Sequence, residues 1–369
     1  MRVLLIRLRQ IGDVVFTTPA VRAIRRRFPD AHLAYVVEPA AAPIVDHSPH
    51  LDEVIVAPRH RGVTQLWHDL ALGRRLRAGR YDLAVDFHGG PRSSLLTWLS
   101  RAPVRIGYDV AGRGWMYTTR VARARELRPR HSVENQWDLL APIDIAPPDP
   151  VRFPVEMAVD PQAGAAVATR LARAGISGGD RLIVLHVSAG NPFRRWPIAA
   201  FAALVARLVS TDPTRRVIVT SGPSERQAAG HVISQAQGLL VAAARARVVS
   251  CGDFSLAELR ALLDRASLYI GGDSGPLHVA ATTDVPIVGL YGPTLPERSA
   301  PWRAPHLIAE AVGVEGLPCR PCDQRVCEPG DFRCLTSLPP EQVAQAAERV
   351  LERSARSTPR DVTNRHRVM

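Results

Sequence analysis

The stretch Val3-Leu4-Leu5-Ile6-Arg7-Leu8-Arg9-Gln10-Ile11-Gly12-Asp13-Val14-Val15-Phe16-Thr17-Thr18-Pro19-Ala20 decides the fold class. Residues 3–8 read as a strand that runs into a short turn at Gly12, and residues 17–28 continue as a helix. A strand, a tight glycine turn and a helix are the opening half of a strand–helix–strand unit, which builds a parallel sheet.

The pattern repeats along the chain. Residues 32–37, 54–57 and 83–86 are further strands, and 64–78 carries leucines at helical spacing. Residues 142–154 hold five prolines and two acidic side chains, a composition that neither pairs nor packs well and reads as a linker. Beyond it, helices over 160–174, 198–209, 224–235, 255–265 and 276–282 alternate with strands over 182–186, 217–220, 248–251, 268–270 and 287–291. A last helix is expected over 339–353, followed by a charged, disordered tail that includes Arg360, Arg365 and Arg367. The organisation is therefore α/β, with two doubly wound, Rossmann-like domains. Residues 1–155 and 156–338 form the domains, and 339–369 form a terminal helix and tail. Two such domains face each other across a cleft, and ligands of doubly wound sheets bind beyond the carboxyl ends of the strands.

The chain has 369 residues, 46% hydrophobic and 22% charged, as expected for a globular protein with two cores. No stretch approaches the roughly eighteen apolar residues of a membrane span. Arg7 and Arg9 interrupt the first apolar run too early for a secretory leader, so the expected location is cytoplasmic. The net charge of +12 is carried by arginine alone, because the sequence contains no lysine. Such a surface suits phosphorylated substrates or an anionic membrane leaflet, but no zinc-finger, helix-turn-helix or RNA-recognition pattern accompanies it, so nucleic acid is not an expected partner.

Chemistry concentrates just after the strands. Asp13 follows the first strand behind Gly12, and on position alone it is either a helix cap or a reacting group. The segment from His186 to Pro197 ends a strand, passes through small residues including Ser188, and presents Arg194 and Arg195, either as a phosphate cradle or as solvated charges. Gly271-Gly272-Asp273-Ser274-Gly275-Pro276-Leu277-His278 opens a helix whose first amides suit an anion. Asp273 would there hold loop amides or a sugar hydroxyl, and His278 would face either ligand or core. The spacing matches neither a Walker loop nor the dinucleotide-binding glycine pattern. Cys319, Cys322, Cys327 and Cys334 are spaced C-x2-C-x4-C-x6-C, open to a structural zinc, to an iron–sulfur cluster or to four reduced thiols.

Taken together, these loops resemble glycosyltransferase family nine, the ADP-heptose:lipopolysaccharide heptosyltransferases, over essentially residues 1–350. The resemblance rests on residues 6–14 with Thr18-Pro19-Ala20, on His186 through Pro197, on Gly222-Pro223-Ser224-Glu225, on residues 272–278 and on residues 288–294. It implies a GT-B fold, with the acceptor on the first domain and the donor on the second, and inversion at the anomeric carbon with no cofactor required. Asp13 matches the family's general base, and Arg194 stands where a lysine is common, near the donor phosphates. By the same resemblance, Ser188, Arg195, Glu225, Asp273, Ser274, Gly275 and His278 fall on the donor side, with Glu225 toward the ribose. Gly12, His88 and Arg92 fall on the acceptor side. The implied partners are an ADP-sugar and a glycolipid or glycan acceptor, and the basic surface suggests peripheral contact with the anionic inner membrane, where such an acceptor would be found. Arg7 or Arg9, if pointed into the cleft, would keep Asp13 charged. Two alternatives stay open at this point: a nucleotide-sugar 2-epimerase of the same architecture, and a relative that binds nucleotide or glycan without turnover.

Overall fold

A computed structural model describes residues 1–123, 130–187 and 191–357. Twelve strands among them form two wholly parallel sheets. The first holds β1 (Arg2–Ile6), β2 (His32–Val37), β3 (Glu53–Val56), β4 (Leu83–Asp86), β5 (Val104–Asp109) and β6 (Thr119–Ala122) in the order β3-β2-β1-β4-β5-β6. The second holds β7 (Arg181–Val187), β8 (Arg215–Ser221), β9 (Val248–Val249), β10 (Leu268–Gly272), β11 (Ile287–Leu290) and β12 (Ala309–Val312) in the order β12-β11-β10-β7-β8-β9. Counted from its own first strand, each sheet winds identically, and each reverses direction beside that strand.

Helices cover both faces, so the central strands are buried on both sides and read as continuous apolar runs. Side chains of β1 alternate accordingly. Val3 and Leu5 enter a large core with Val21 and Ile24 of helix Thr18–Arg27, whereas Leu4 and Ile6 enter a smaller one with Leu76 and Leu96. Leu182 and Val184 of β7 join the same large core as Val3, so the apolar interior is continuous between the domains.

The expected elements are present with local differences. The first helix is split, with a turn over Ile11–Val15 preceding Thr18–Arg27, and this turn places Asp13 inside a helix rather than before one. Helix Pro91–Leu99, β5, β6 and β12 carry no clear sequence signal. In Pro91–Leu99, Ser93, Ser94 and Thr97 are fully buried, and their hydroxyls return hydrogen bonds to carbonyls one turn back. The proline-rich segment is packed: Phe153 is buried against Trp137, Trp302 Nε1 donates to the Phe153 carbonyl at 2.9 Å, and the Val155 amide donates to the Trp302 carbonyl at 3.1 Å. Helix Pro340–Ser357 lies on the second sheet with Val343, Ala346, Ala347 and Val350 fully buried, and Arg215 grips its Glu348 with two hydrogen bonds of 2.6 Å. The tail arginines 360, 365 and 367 lie outside the described residues.

Candidate active site

Each sheet reverses its strand order next to its first strand, between β1 and β4 and between β7 and β10. Loops at such a point diverge to opposite faces and leave a crevice. The segments after β1, β4, β7 and β10 are those that carry Asp13, His88, Arg194 and Asp273.

On the first wall, the Asp13 carboxylate accepts the Gln10 amide at 3.4 Å within the Ile11–Val15 turn, so it does cap. It also forms an ion pair with Arg7, whose guanidinium donates to the Phe87 carbonyl at 2.6 Å. Of the two arginines considered, it is Arg7 that turns inward. Gln136 Nε2 donates to the Asp13 carbonyl at 3.3 Å. The Asp13 carboxylate remains 38% exposed and looks into a cavity of about 270 Å³ that Arg7, Tyr108, Arg123, Asn135, Gln136, Asp138 and Arg298 also line. Beneath it, Asp86 closes β4 by accepting the amides of His88 (2.9 Å) and Gly89 (3.0 Å) and the Tyr117 hydroxyl (2.7 Å). Burial raises the Asp86 pKa, although those hydrogen bonds oppose the rise. His88 is held neutral, because burial first and the nearby Arg7 charge second lower its pKa to about 4.

On the second wall, Asp273 is almost wholly buried at the end of β10. Its carboxylate accepts the Thr294 hydroxyl at 2.6 Å and lies 3.4 Å from both Arg194 and His278. Burial alone would raise its pKa, but His278, Arg194 and Thr294 outweigh that cost and bring it to about 2. Arg194 donates to the Asp273 carbonyl at 2.8 Å and, through Nε, to Gln324 Oε1 at 2.7 Å. Glu225 is buried at the carboxyl end of β8, where the Ser224 hydroxyl binds it at 2.7 Å. His186, buried and bonded to Thr220 at 2.9 Å, is kept neutral by burial and serves the core.

The walls touch. A Cβ on Gly12 would stand 2.3 Å from Cδ2 of His278, and one on Gly275 would stand 2.9 Å from Cγ2 of Ile11. Two glycines therefore allow the loops to interlock. The Phe16 ring lies 4.5 Å from the His278 ring, and Ser132 Oγ donates to the Arg298 carbonyl at 2.8 Å.

The structure thus brings together Gly12, Asp13, Asp273, His278 and Arg194, with Ser274 and Gly275 opening helix Gly275–Ala280 beside them. Arg195 is exposed. The Arg92 guanidinium is fully engaged by Asp69 (2.9 Å), Glu38 (3.1 Å) and the carbonyls of Ala57 and Pro58, which makes it a brace for the loop after β3. Ser188 lies outside the described residues. The four loop cysteines are free, half-buried thiols lining a cavity of about 490 Å³. Among the described residues no three His, Cys, Asp or Glu side chains converge on one point, so the thiols as placed do not form the ligand set a structural zinc needs. Their loop reaches the site by another route, because Gln324 bridges Arg194 and Asn191.

Arg123, Asn135, Gln136 and Arg298 escaped sequence reasoning. No motif surrounds them: Gln136 is tied to the Asp13 carbonyl within the first domain, and packing of the 130–137 segment against residues 298–300 brings in Arg298.

Known proteins resemble this chain along most of its length. Residues 70–331 match the profile of glycosyltransferase family 9 (heptosyltransferase). Lipopolysaccharide heptosyltransferase 3 of Escherichia coli is 27% identical over 350 residues, covering 94% of this chain and 98% of that one. In fold, the chain is similar to the family 9 glycosyl transferase from Veillonella parvula, with a TM-score of 0.80, 24% identity and coverage of 95% and 97% of the two chains. It is also similar to the E. coli ADP-heptose lipopolysaccharide heptosyltransferase II, with a TM-score of 0.77, 20% identity and coverage of 96% and 100%. The profile spans well over half of the sequence, and the chain accordingly belongs to glycosyltransferase family 9, the heptosyltransferase family, and is a glycosyltransferase.

Proposed function

We propose that this enzyme transfers heptose from ADP-heptose to a sugar of the lipopolysaccharide core or a related glycan, inverting the anomeric carbon and requiring no metal ion. The observation that carries the reading is the contact of the Gly12-Asp13 turn with His278. It sets a carboxylate able to take a proton against a wall with fixed positive charge. In the reaction, the acceptor oxygen attacks the anomeric carbon, its proton passes to Asp13, and the bond from that carbon to the phosphate oxygen breaks. The bonding pair leaves with ADP. Arg194, with the amides of Ser274 and Gly275, stabilises the charge that grows on the departing diphosphate, a role a metal fills in other transferases. Glu225, at the end of β8, is the group for the ribose.

The cavity beside Asp13 favours an anionic acceptor. Arg7, Arg123 and Arg298 line it against Asp13 and Asp138, and Arg130 already binds Asp138 at 2.7 and 2.8 Å. A carboxylate or phosphate on the acceptor would meet that surplus. Asp13→Asn keeps the shape and removes the base, so transfer measured with ADP-heptose should fall by about a hundred- to ten-thousand-fold. Near-normal transfer by a folded Asn variant would remove Asp13 from the chemistry.

A further inference from the structure

Helix Val63–Ala78 connects β3 to β4 and covers the first sheet on the face that holds Leu4 and Ile6. Its inner side is settled: Asp69, Gly73 and Leu76 are buried, and Gly73 lies against Leu99 of helix Pro91–Leu99. Its outer side is not what a water-facing helix presents. Val63 is 72% exposed, Leu66 52% and Trp67 65%, and their spacing puts all three on one face of the first two turns. Large apolar side chains grouped in this way mark a surface that something covers.

The charge around them identifies what. From residue 57 to residue 80 there are six arginines and one carboxylate. The carboxylate, Asp69, is buried and bound by Arg92 at 2.9 Å. The arginines are exposed, among them Arg59 and Arg61 just before the helix and Arg74 two turns beyond the tryptophan. A convex turn bearing tryptophan, leucine and valine and ringed by arginine is the composition of a helix that lies in the interface of an anionic bilayer. Indole prefers the headgroup level, and arginine reaches the phosphates while its stem stays in contact with the apolar layer. No helix among the described residues is long and apolar enough to cross a membrane, so contact of this kind would be peripheral.

Position gives the contact a purpose. A helix that returns from the end of one parallel strand to the start of another runs against the strands, so its first turn sits at their carboxyl edge. That edge also carries Asp13. Arg92 ties the loop between β3 and this helix, through the Ala57 and Pro58 carbonyls, to the segment after β4 that bears His88. We infer that Val63, Leu66 and Trp67, with the flanking arginines, dock the enzyme on an anionic lipid bilayer and so present a membrane-embedded acceptor to the cavity at Asp13. The inference of purpose rests on the glycolipid-acceptor reading above, whereas the docking itself does not.

The test uses the full chain and vesicles of phosphatidylcholine alone or mixed with phosphatidylglycerol, in sedimentation without donor or acceptor. The wild type should sediment with the mixed vesicles and stay in solution with the neutral ones. Leu66→Ser/Trp67→Ser should weaken binding by at least about tenfold, with the thermal midpoint unchanged. Arg59→Gln/Arg61→Gln should weaken it mainly at low salt. Transfer to a delipidated, water-soluble acceptor should be the same in all variants, while transfer to an acceptor embedded in vesicles should fall with docking. Absence of wild-type binding to anionic vesicles, or undiminished binding by the Leu66/Trp67 variant, overturns the proposal. Vesicle binding that depends on these residues, together with no transfer to any lipopolysaccharide acceptor, would uphold docking and defeat the acceptor reading instead.

Discussion

Replacing Gly12 by alanine tests the seam between the two walls directly. The new methyl carbon would stand 2.3 Å from Cδ2 and 3.1 Å from Nε2 of His278. Carbon atoms rest at about 3.5 Å or more, so one side has to retreat by about 1.2 Å. Neither side yields easily. His278 is 5% exposed and held between the Phe16 ring and the Asp273 carboxylate, while Ile11, next to Gly12, already fills the space above Gly275. Overpacking of this kind costs about 1–3 kcal/mol, and a displacement of about 1 Å at a reacting geometry costs on the order of a hundredfold in rate. The expected result is a lowered thermal midpoint together with a loss of kcat/KM for transfer from ADP-heptose. Pairing the change with His278→Ala separates the contact from other effects. The shortened side chain makes room for the methyl, so the stability penalty of Gly12→Ala should shrink by about 1–2 kcal/mol in that background. If Gly12→Ala had wild-type stability and rate, the two loops would not meet in the working enzyme, and the juxtaposition of Asp13 with the donor wall would lose its basis.

Other expectations follow from the same geometry. Asp273, whose pKa is lowered to about 2, contributes stability that is present above its ordinary value near 3.8 and lost as pH falls toward 2; Asp273→Asn should flatten acid unfolding in that window, by up to about 2 kcal/mol. An unchanged acid transition would mean that the carboxylate gains nothing from His278, Arg194 and Thr294. His88, with its pKa near 4, carries no proton to titrate at neutral pH, so His88→Gln should leave the shape of the pH–rate profile between about 5 and 8 intact. A limb that disappeared in the variant would contradict this. Gln324→Ala releases Arg194 and Asn191 from the cysteine loop, and donor KM should rise about three- to tenfold with kcat nearly unchanged, as measured by initial rates. A drop in kcat alone would instead place the loop in the chemical step.

The sequence was legible where local chemistry and periodicity agree. His32–Val37 and Leu83–Asp86 emerge with their observed limits because each is an apolar run closed by a turn. The alanine-rich residues after Asp160 read as a helix, and the structure adds its cap, the Asp160 carboxylate accepting the Gln162 amide at 2.8 Å. By contrast, β5 reads Val-Arg-Ile-Gly-Tyr-Asp and β12 reads Ala-Glu-Ala-Val, too polar or too weakly apolar to stand out before their neighbours are in place. Pro91–Leu99 hides for a related reason, since its buried serines and threonine look like loop residues until their hydroxyls find the helix's own carbonyls. The site divides in the same manner. Gly12-Asp13 and Gly272 through His278 are visible because glycine and charge gather after apolar strands. Arg123 and Gln136 are not, because only the tertiary fold of the first domain carries them to Asp13, and Arg298 is not, because it arrives from the second domain.

The identical winding of the two sheets has a consequence for how such an enzyme changes over time. Each half carries its own crevice, formed by its own loops, and the two crevices meet at the seam of Gly12, His278 and Gly275. In the proposed assignment one substrate belongs to each half. Substitutions in the loops after β3 to β6 can then alter the recipient sugar without disturbing the nucleotide, and those after β7, β8 and β10 can alter the nucleotide without disturbing the recipient. The seam is answerable to both, as is Arg298, which reaches from the second half into the cavity at Asp13. Diversification is free at the two flanks and confined at the line where they meet, so new recipients are reached by editing one half of the chain.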